Sequence, residues 1–169
     1  LIDTFFINSK IKKFTRDLII IFLGSLLLTI SAKFKIDIPP VPITLQTLVV
    51  LVFALSAGWR LATLTFSFYL FQGFIGLPVF ASAPFGGPGY FIGSSAGYLL
   101  GMLISSYVIG YLAEKNYDKN YFKSLLILFL GSLIIFVPGI LWLGFWFNIL
   151  SPSAKSLDFY QSYSNALNY

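Results

Sequence analysis

The sequence has 169 residues, of which 57% are hydrophobic and 10% charged; soluble domains carry about a quarter charged residues, so a water-soluble fold could not hide this much apolar surface. Its formal charge of +5 does not indicate a nucleic-acid partner, because the basic residues sit in short flanks between apolar runs and form no stripe. The lack of Cys and His excludes disulfide frameworks, Cys and Ser-His nucleophiles and imidazole metal ligation, and the ionisable pair or metal set that an intramembrane enzyme would need inside the bilayer is not found, so neither an enzyme nor a cofactor- or metal-holding protein is expected.

Five apolar segments follow one another. The first, Leu18–Ala32, lies behind a basic stretch, as in a signal peptide. No small-residue cleavage site is evident, and a retained span is expected. Arg16 and Lys33 can snorkel to opposite interfaces and extend it toward the roughly 30 Å of the hydrocarbon core. Ser25, Thr29 and Ala32 put small groups on one face of this segment, suited to helix packing within the bundle or to another membrane helix. Lys33 and Lys35 then either snorkel or steer an anion.

The second segment, Ile43–Trp59, is entered through Pro39, Pro40 and Pro42, which hold the chain extended before the helix begins. Thr44, Gln46 and Thr47 place polar side chains there, either bonded back to the backbone or offered to a ligand. Leu61–Leu77 is the third segment. The connection Pro78–Ile92 has no charge and combines Phe80, Phe85 and Tyr90 with Gly86, Gly87 and Gly89. Such a loop suits either a lid over an apolar ligand or an interfacial aromatic belt.

The fourth segment, Phe91–Ala113, repeats glycine at 93, 97 and 101 on one helix face, a pattern of close helix packing. Ser95 and Tyr98 are positioned to face a pocket left open by these small neighbours. The fifth, Phe122–Phe147, contains Pro138-Gly139, where a kink is expected. Ser151–Tyr169 keeps helical spacing but is too polar to span.

Lipid offers the backbone no hydrogen-bond partner, and strand alternation is absent from these runs, so the fold class is all-α membrane protein, a polytopic helical bundle in one domain over 1–169. On alternating sides of five spans, Lys and Arg divide 8 against 3, which predicts a multi-pass protein of the cell membrane with a cytoplasmic N-terminus. Asp3, Asp17, Asp37, Glu114, Asp118 and Asp158 all lie at or beyond span ends. Ion-coupled carriers keep ionisable groups at mid-membrane, so a solute-binding protein of this kind would take its energy from a partner.

The strings PPVPITLQTL at 39–48, GLPVFA at 76–81 and GYLLGM at 97–102 resemble the BioY family of biotin transporters, the substrate-binding S components of energy-coupling-factor (ECF) transporters. The resemblance runs from about Ile36 through Trp142. It implies a six-helix S component that captures biotin from outside under a roof of outer loops, energised by a membrane-coupling protein and two ATPase subunits. Thr44, Gln46, Phe80, Tyr90, Ser95, Gly97 and Tyr98 are the candidate substrate-binding residues. Where the family has Gly-Pro-Thr-Gly-Gly-Tyr, this chain has Gly93-Ser94-Ser95-Ala96-Gly97-Tyr98, which would pass the threonine's hydrogen bond to Ser95. The family's Pro-Gly-Asp motif and following Lys do not occur; their place would fall just after Tyr169, so the sixth helix is expected to be missing from this chain. An S component for another small vitamin, or a purely structural membrane protein, are the alternatives.

Overall fold

The computed structural model describes residues 10–38, 41–115 and 121–150. Asp3, Pro39, Pro40, Asp118 and the polar segment Ser151–Tyr169 lie outside the described residues. Helix α1 spans Lys10–Lys33, longer than the expected Leu18–Ala32. Lys and Arg are good helix formers, so the basic flank continues the helix beyond its apolar part. The next two short segments form a ribbon: β1, Lys35–Ile36, pairs antiparallel with β2, Ile43–Thr44, through Lys35 with Thr44 and Ile36 with Ile43. The second span was expected to begin at Ile43. Instead Ile43 and Thr44 use their β-branched preference for pairing, and the helix starts at Gln46.

Helix α2, Gln46–Phe74, is a 29-residue helical stretch broken at Gly58, whose φ of 78° and ψ of 169° no L side chain adopts without strain. A Cβ on Gly24 of α1 would meet both Thr65 Cγ2 at 2.7 Å and Phe53 Cζ at 2.8 Å. In a straight helix those two residues would stand about 18 Å apart. Gln46 likewise lies beside Tyr69. The stretch therefore folds back at Gly58 into arms 46–57 and 59–74, and these arms are the second and third expected spans. Gly110 makes the sharp turn possible to pack, since a Cβ there would lie 2.5 Å from the Trp59 backbone.

After the second arm, the chain crosses the end of the bundle through a 3-10 turn at Pro88–Ile92. Helix α3, Ala96–Glu114, begins five residues later than the expected Phe91, because Gly93–Ser95 interrupt it and Phe91 stays in the turn. Helix α4, Tyr121–Phe145, runs on through Pro138 and ends in a π-helical turn, Trp146–Leu150. Among the described residues, four helices are long and apolar enough to cross a membrane, with α2 supplying two of the expected five spans.

Helix α3 is central: 56% of its most apolar stretch is buried inside the protein, against 22–28% in the others. Its glycines permit this. A Cβ on Gly101 would lie 2.7 Å from the Ile135 carbonyl oxygen of α4, and one on Gly97 would lie 2.6 Å from that of Pro138. Ser105 then donates to the Gly131 carbonyl at 3.1 Å. On α1, Ser25 and Ala32 face inward, and Ser25 Oγ donates to Gln72 Oε1, so this face packs within the bundle. Phe66, Tyr69, Phe80, Leu28, Ile109 and Ile135 fill the core, while Leu126, Phe129 and Leu141 remain exposed as a lipid-facing coat.

Candidate functional site

Lys33 closes α1, and its ammonium donates to the Phe80 carbonyl at 2.7 Å while lying 4.9 Å from the centre of the Phe85 ring. The loop it holds is tied further by Gly87 N–H to the Gly73 carbonyl at 2.7 Å and Phe80 N–H to the Phe85 carbonyl at 2.9 Å. Phe85 itself sits at φ 63°, a left-handed conformation uncommon for a residue with a side chain. The short ribbon, this loop and the start of α3 thus meet at one end of the bundle.

Beneath them lies a cavity of about 150 Å³. The ribbon and the start of α2 give it Val41, Pro42, Ile43, Thr44, Gln46 and Thr47, and the loop gives Ala81 and Tyr90. Helix α3 adds Ser95, Tyr98, Leu99 and Met102, and α4 adds Phe136. None of these side chains is charged. The walls are apolar with a few hydrogen-bonding groups, the usual character of a small-molecule site.

Gln46 is the most constrained of those groups. Only 3% of it is exposed, it lies beside Tyr69, and its Nε2 has no hydrogen-bond partner. The Tyr69 hydroxyl donates to the Val79 carbonyl at 3.2 Å. A buried amide donor left unmade costs free energy, which a ligand reached by a small turn of the side chain would recover. Tyr90 shares a 3.2 Å hydrogen bond with Ser82 and stacks on Phe80 with centroids 4.2 Å apart. Tyr98 meets Phe136 edge-on at 6.0 Å, and its ring approaches Gly139 so closely that a Cβ would overlap it. Trp142 Nε1 donates to the Gly93 carbonyl at 2.9 Å and fastens the entrance of α3 to α4.

Thr44, Gln46, Tyr90, Ser95 and Tyr98 are therefore brought together on one cavity. Phe80 does not line it: fully buried, it stands behind Tyr90 and against Tyr69 and Phe91. Gly97 does not line it either, because that face of α3 is pressed on Trp142 and Pro138. Leu99, Met102 and Phe136 are lining residues that sequence reasoning passed over. The α3 pair had a signal, since Ser95, Tyr98, Leu99 and Met102 recur at helical spacing on one face; Phe136 had none. Lys33 acquires a role that neither sequence reading foresaw, as an anchor for the loop.

The chain matches the BioY family over residues 7–166. It is 35% identical over 127 residues to the probable biotin transporter BioY of Rickettsia prowazekii, covering 75% of this chain and 64% of that protein. To the biotin transporter BioY of Thermotoga maritima it is 36% identical over 120 residues, covering 71% and 69%. The chain thus spans about two thirds of the length of these curated relatives. Among solved structures, it is similar to the S-component for biotin from an ECF-type ABC transporter, with a TM-score of 0.72 and 27% identity over 84% of this chain and 78% of that one.

Proposed function

This chain belongs to the BioY family, and from that premise we propose that it is the substrate-binding S component for biotin uptake across the cell membrane. The observation that carries the reading is the uncharged cavity itself, on whose apolar wall the buried Gln46 is set with Thr44, Ser95 and Tyr98. Biotin's ureido group presents one carbonyl acceptor and two N–H donors, and an amide such as Gln46 answers both kinds. Its fused rings and aliphatic chain suit Leu99, Met102 and Phe136. Its ionised carboxylate is costly to bury unpaired, and points toward the end of the bundle where Lys33 and Lys35 lie.

Asp17, Asp37 and Glu114, the described acids, stand on the basic flank of α1, in the connection of the outer ribbon and at the last residue of α3, so ion coupling has no mid-membrane group among them. The energy then comes from a membrane-coupling protein and two ATPase subunits of an ECF module. Supporting this, the solved relative is the S-component of an ECF-type ABC transporter. Binding of radiolabelled biotin to the purified protein in detergent tests the reading. Saturable binding displaced by unlabelled biotin, and not by an unrelated vitamin, is expected; binding that no biotin excess displaces refutes it.

The N-terminus faces the cytoplasm. Lys13, Arg16 and Arg60 converge on one recess with Glu114, while Lys33, Lys35 and the loop around Phe80 and Phe85 occupy the opposite end. The richer basic side is the cytoplasmic one. With no native cysteine, single replacements report sidedness directly. Phe85→Cys should react with an impermeant maleimide in intact cells and Glu114→Cys only after permeabilisation; the reverse pattern inverts the topology.

A further inference from the structure

The end of the bundle opposite the biotin cavity holds a second recess of about 610 Å³, open between α1 and the Gly58 turn of α2. Lys13, Arg16 and Arg60 line it together with Asp17 and Glu114, so three cations against two carboxylates leave one positive charge in excess. Arg16 is paired with Asp17 at 3.2 Å. Among the described residues, neither Lys13 nor Arg60 has a carboxylate partner, and Arg60 rests over the Trp59 ring at 5.3 Å. Thr63 also lines the cleft, but its hydroxyl is turned away into the protein. Two cations without a carboxylate partner on one recess of net positive charge suit an anion.

The depth of the cleft says what kind of anion. Trp59 meets Tyr107 edge-on at 5.4 Å, Tyr107 stacks with Tyr111 at 6.5 Å, and Lys115 lies over Tyr111 at 5.5 Å. Half-exposed aromatics interleaved with cations belong at the headgroup level of a bilayer. The remaining wall, Leu61 and the exposed Leu64, continues from the cleft onto the apolar side of the bundle. A soluble anion would leave that apolar wall unused. A zwitterionic lipid would bring its own cation against a cleft that already carries a positive excess.

We propose that this cleft holds an anionic phospholipid, with Lys13 and Arg60 on the headgroup phosphate and the acyl chains along Leu61 and Leu64. This reading is independent of what the opposite cavity binds. Native mass spectrometry of the whole protein in neutral detergent, titrated with phosphatidylglycerol or with phosphatidylcholine of the same acyl chains, tests it. One tightly retained phosphatidylglycerol is expected. The K13Q/R60Q variant should weaken it about thirty-fold, from two cations removed at a membrane surface, whereas K123Q, which removes a cation of the same end outside the cleft, should leave it unchanged. K13R/R60K, which keeps both charges, should retain the lipid, so that loss through misfolding is recognised. Equal retention of phosphatidylcholine, full displacement by inorganic phosphate, an equal loss in K123Q, or lipid binding untouched in K13Q/R60Q would each overturn the proposal, the last leaving the cleft to a protein partner.

Discussion

Replacing Gln46 by leucine is expected to weaken biotin binding by about 1–3 kcal/mol, which is roughly 5- to 150-fold in the dissociation constant. Leucine fills much of the same space, so the change removes an amide rather than a wall. The residue is 3% exposed, and no water-facing alternative is open to a ureido group that loses this partner. The two states of the protein should respond in opposite senses. Without ligand, Gln46 Nε2 is a buried donor with no acceptor, and removing such a group costs nothing in hydrogen bonding. Gln46→Leu should therefore melt at or slightly above the temperature of the native protein while binding poorly. Equilibrium binding and thermal unfolding in one detergent measure both. Unchanged affinity would take Gln46 out of the site, and a large fall in melting temperature would show that it holds the helices instead.

How far the sequence could be read depends on what each feature obeys. The spans were legible because lipid permits few solutions: apolar length and charged flanks place helices with little help from tertiary contacts. Even the reversal after the second span was marked, since Arg60 separates the second and third apolar runs, and the break falls two residues before it, at Gly58. The helix ends were less legible. Lys10–Asp17 joins α1 although it is basic, and Ile43 leaves α2 to pair with Ile36, because pairing across a ribbon is a long-range choice that local pattern does not encode. The site divided in the same way. Thr44, Gln46 and Thr47 advertise themselves as polar residues at the mouth of an apolar run, and the structure gathers them on one cavity. Phe80 and Tyr90 look equivalent in a loop of aromatics and glycines, yet one lines the cavity and the other backs it. Only Gly73 distinguishes them: the Phe80 ring fills the room its missing Cβ leaves, and nothing in the loop's own sequence points across to that glycine.

That placement makes Phe80→Ala the substitution with the largest expected effect on stability, about 3–5 kcal/mol by comparison with other buried phenylalanines. The ring is wholly buried and has three aromatic neighbours: Tyr90 stacked at 4.2 Å, and Tyr69 and Phe91 edge-on, each at 5.6 Å. Such pairs contribute roughly 0.5–1.5 kcal/mol each beyond the area they bury, so truncation loses geometry as well as surface. Collapse around the gap is hindered, because the loop backbone is held independently of the ring, by Lys33 on the Phe80 carbonyl and by Gly87 on Gly73. A cavity therefore remains, and Tyr90 loses the surface against which it stands. Thermal unfolding should show a large fall in melting temperature, with Phe80→Leu falling less. Biotin affinity, measured well below the melt, should drop by less than in Gln46→Leu, since Phe80 itself does not line the cavity. A Phe80→Ala protein that melts like the native one would mean that the ring is not the wedge between loop and bundle. If instead stability falls and affinity is lost as completely as with Gln46→Leu, Tyr90 depends on its backing so strongly that Phe80 acts as a positioning residue for the site.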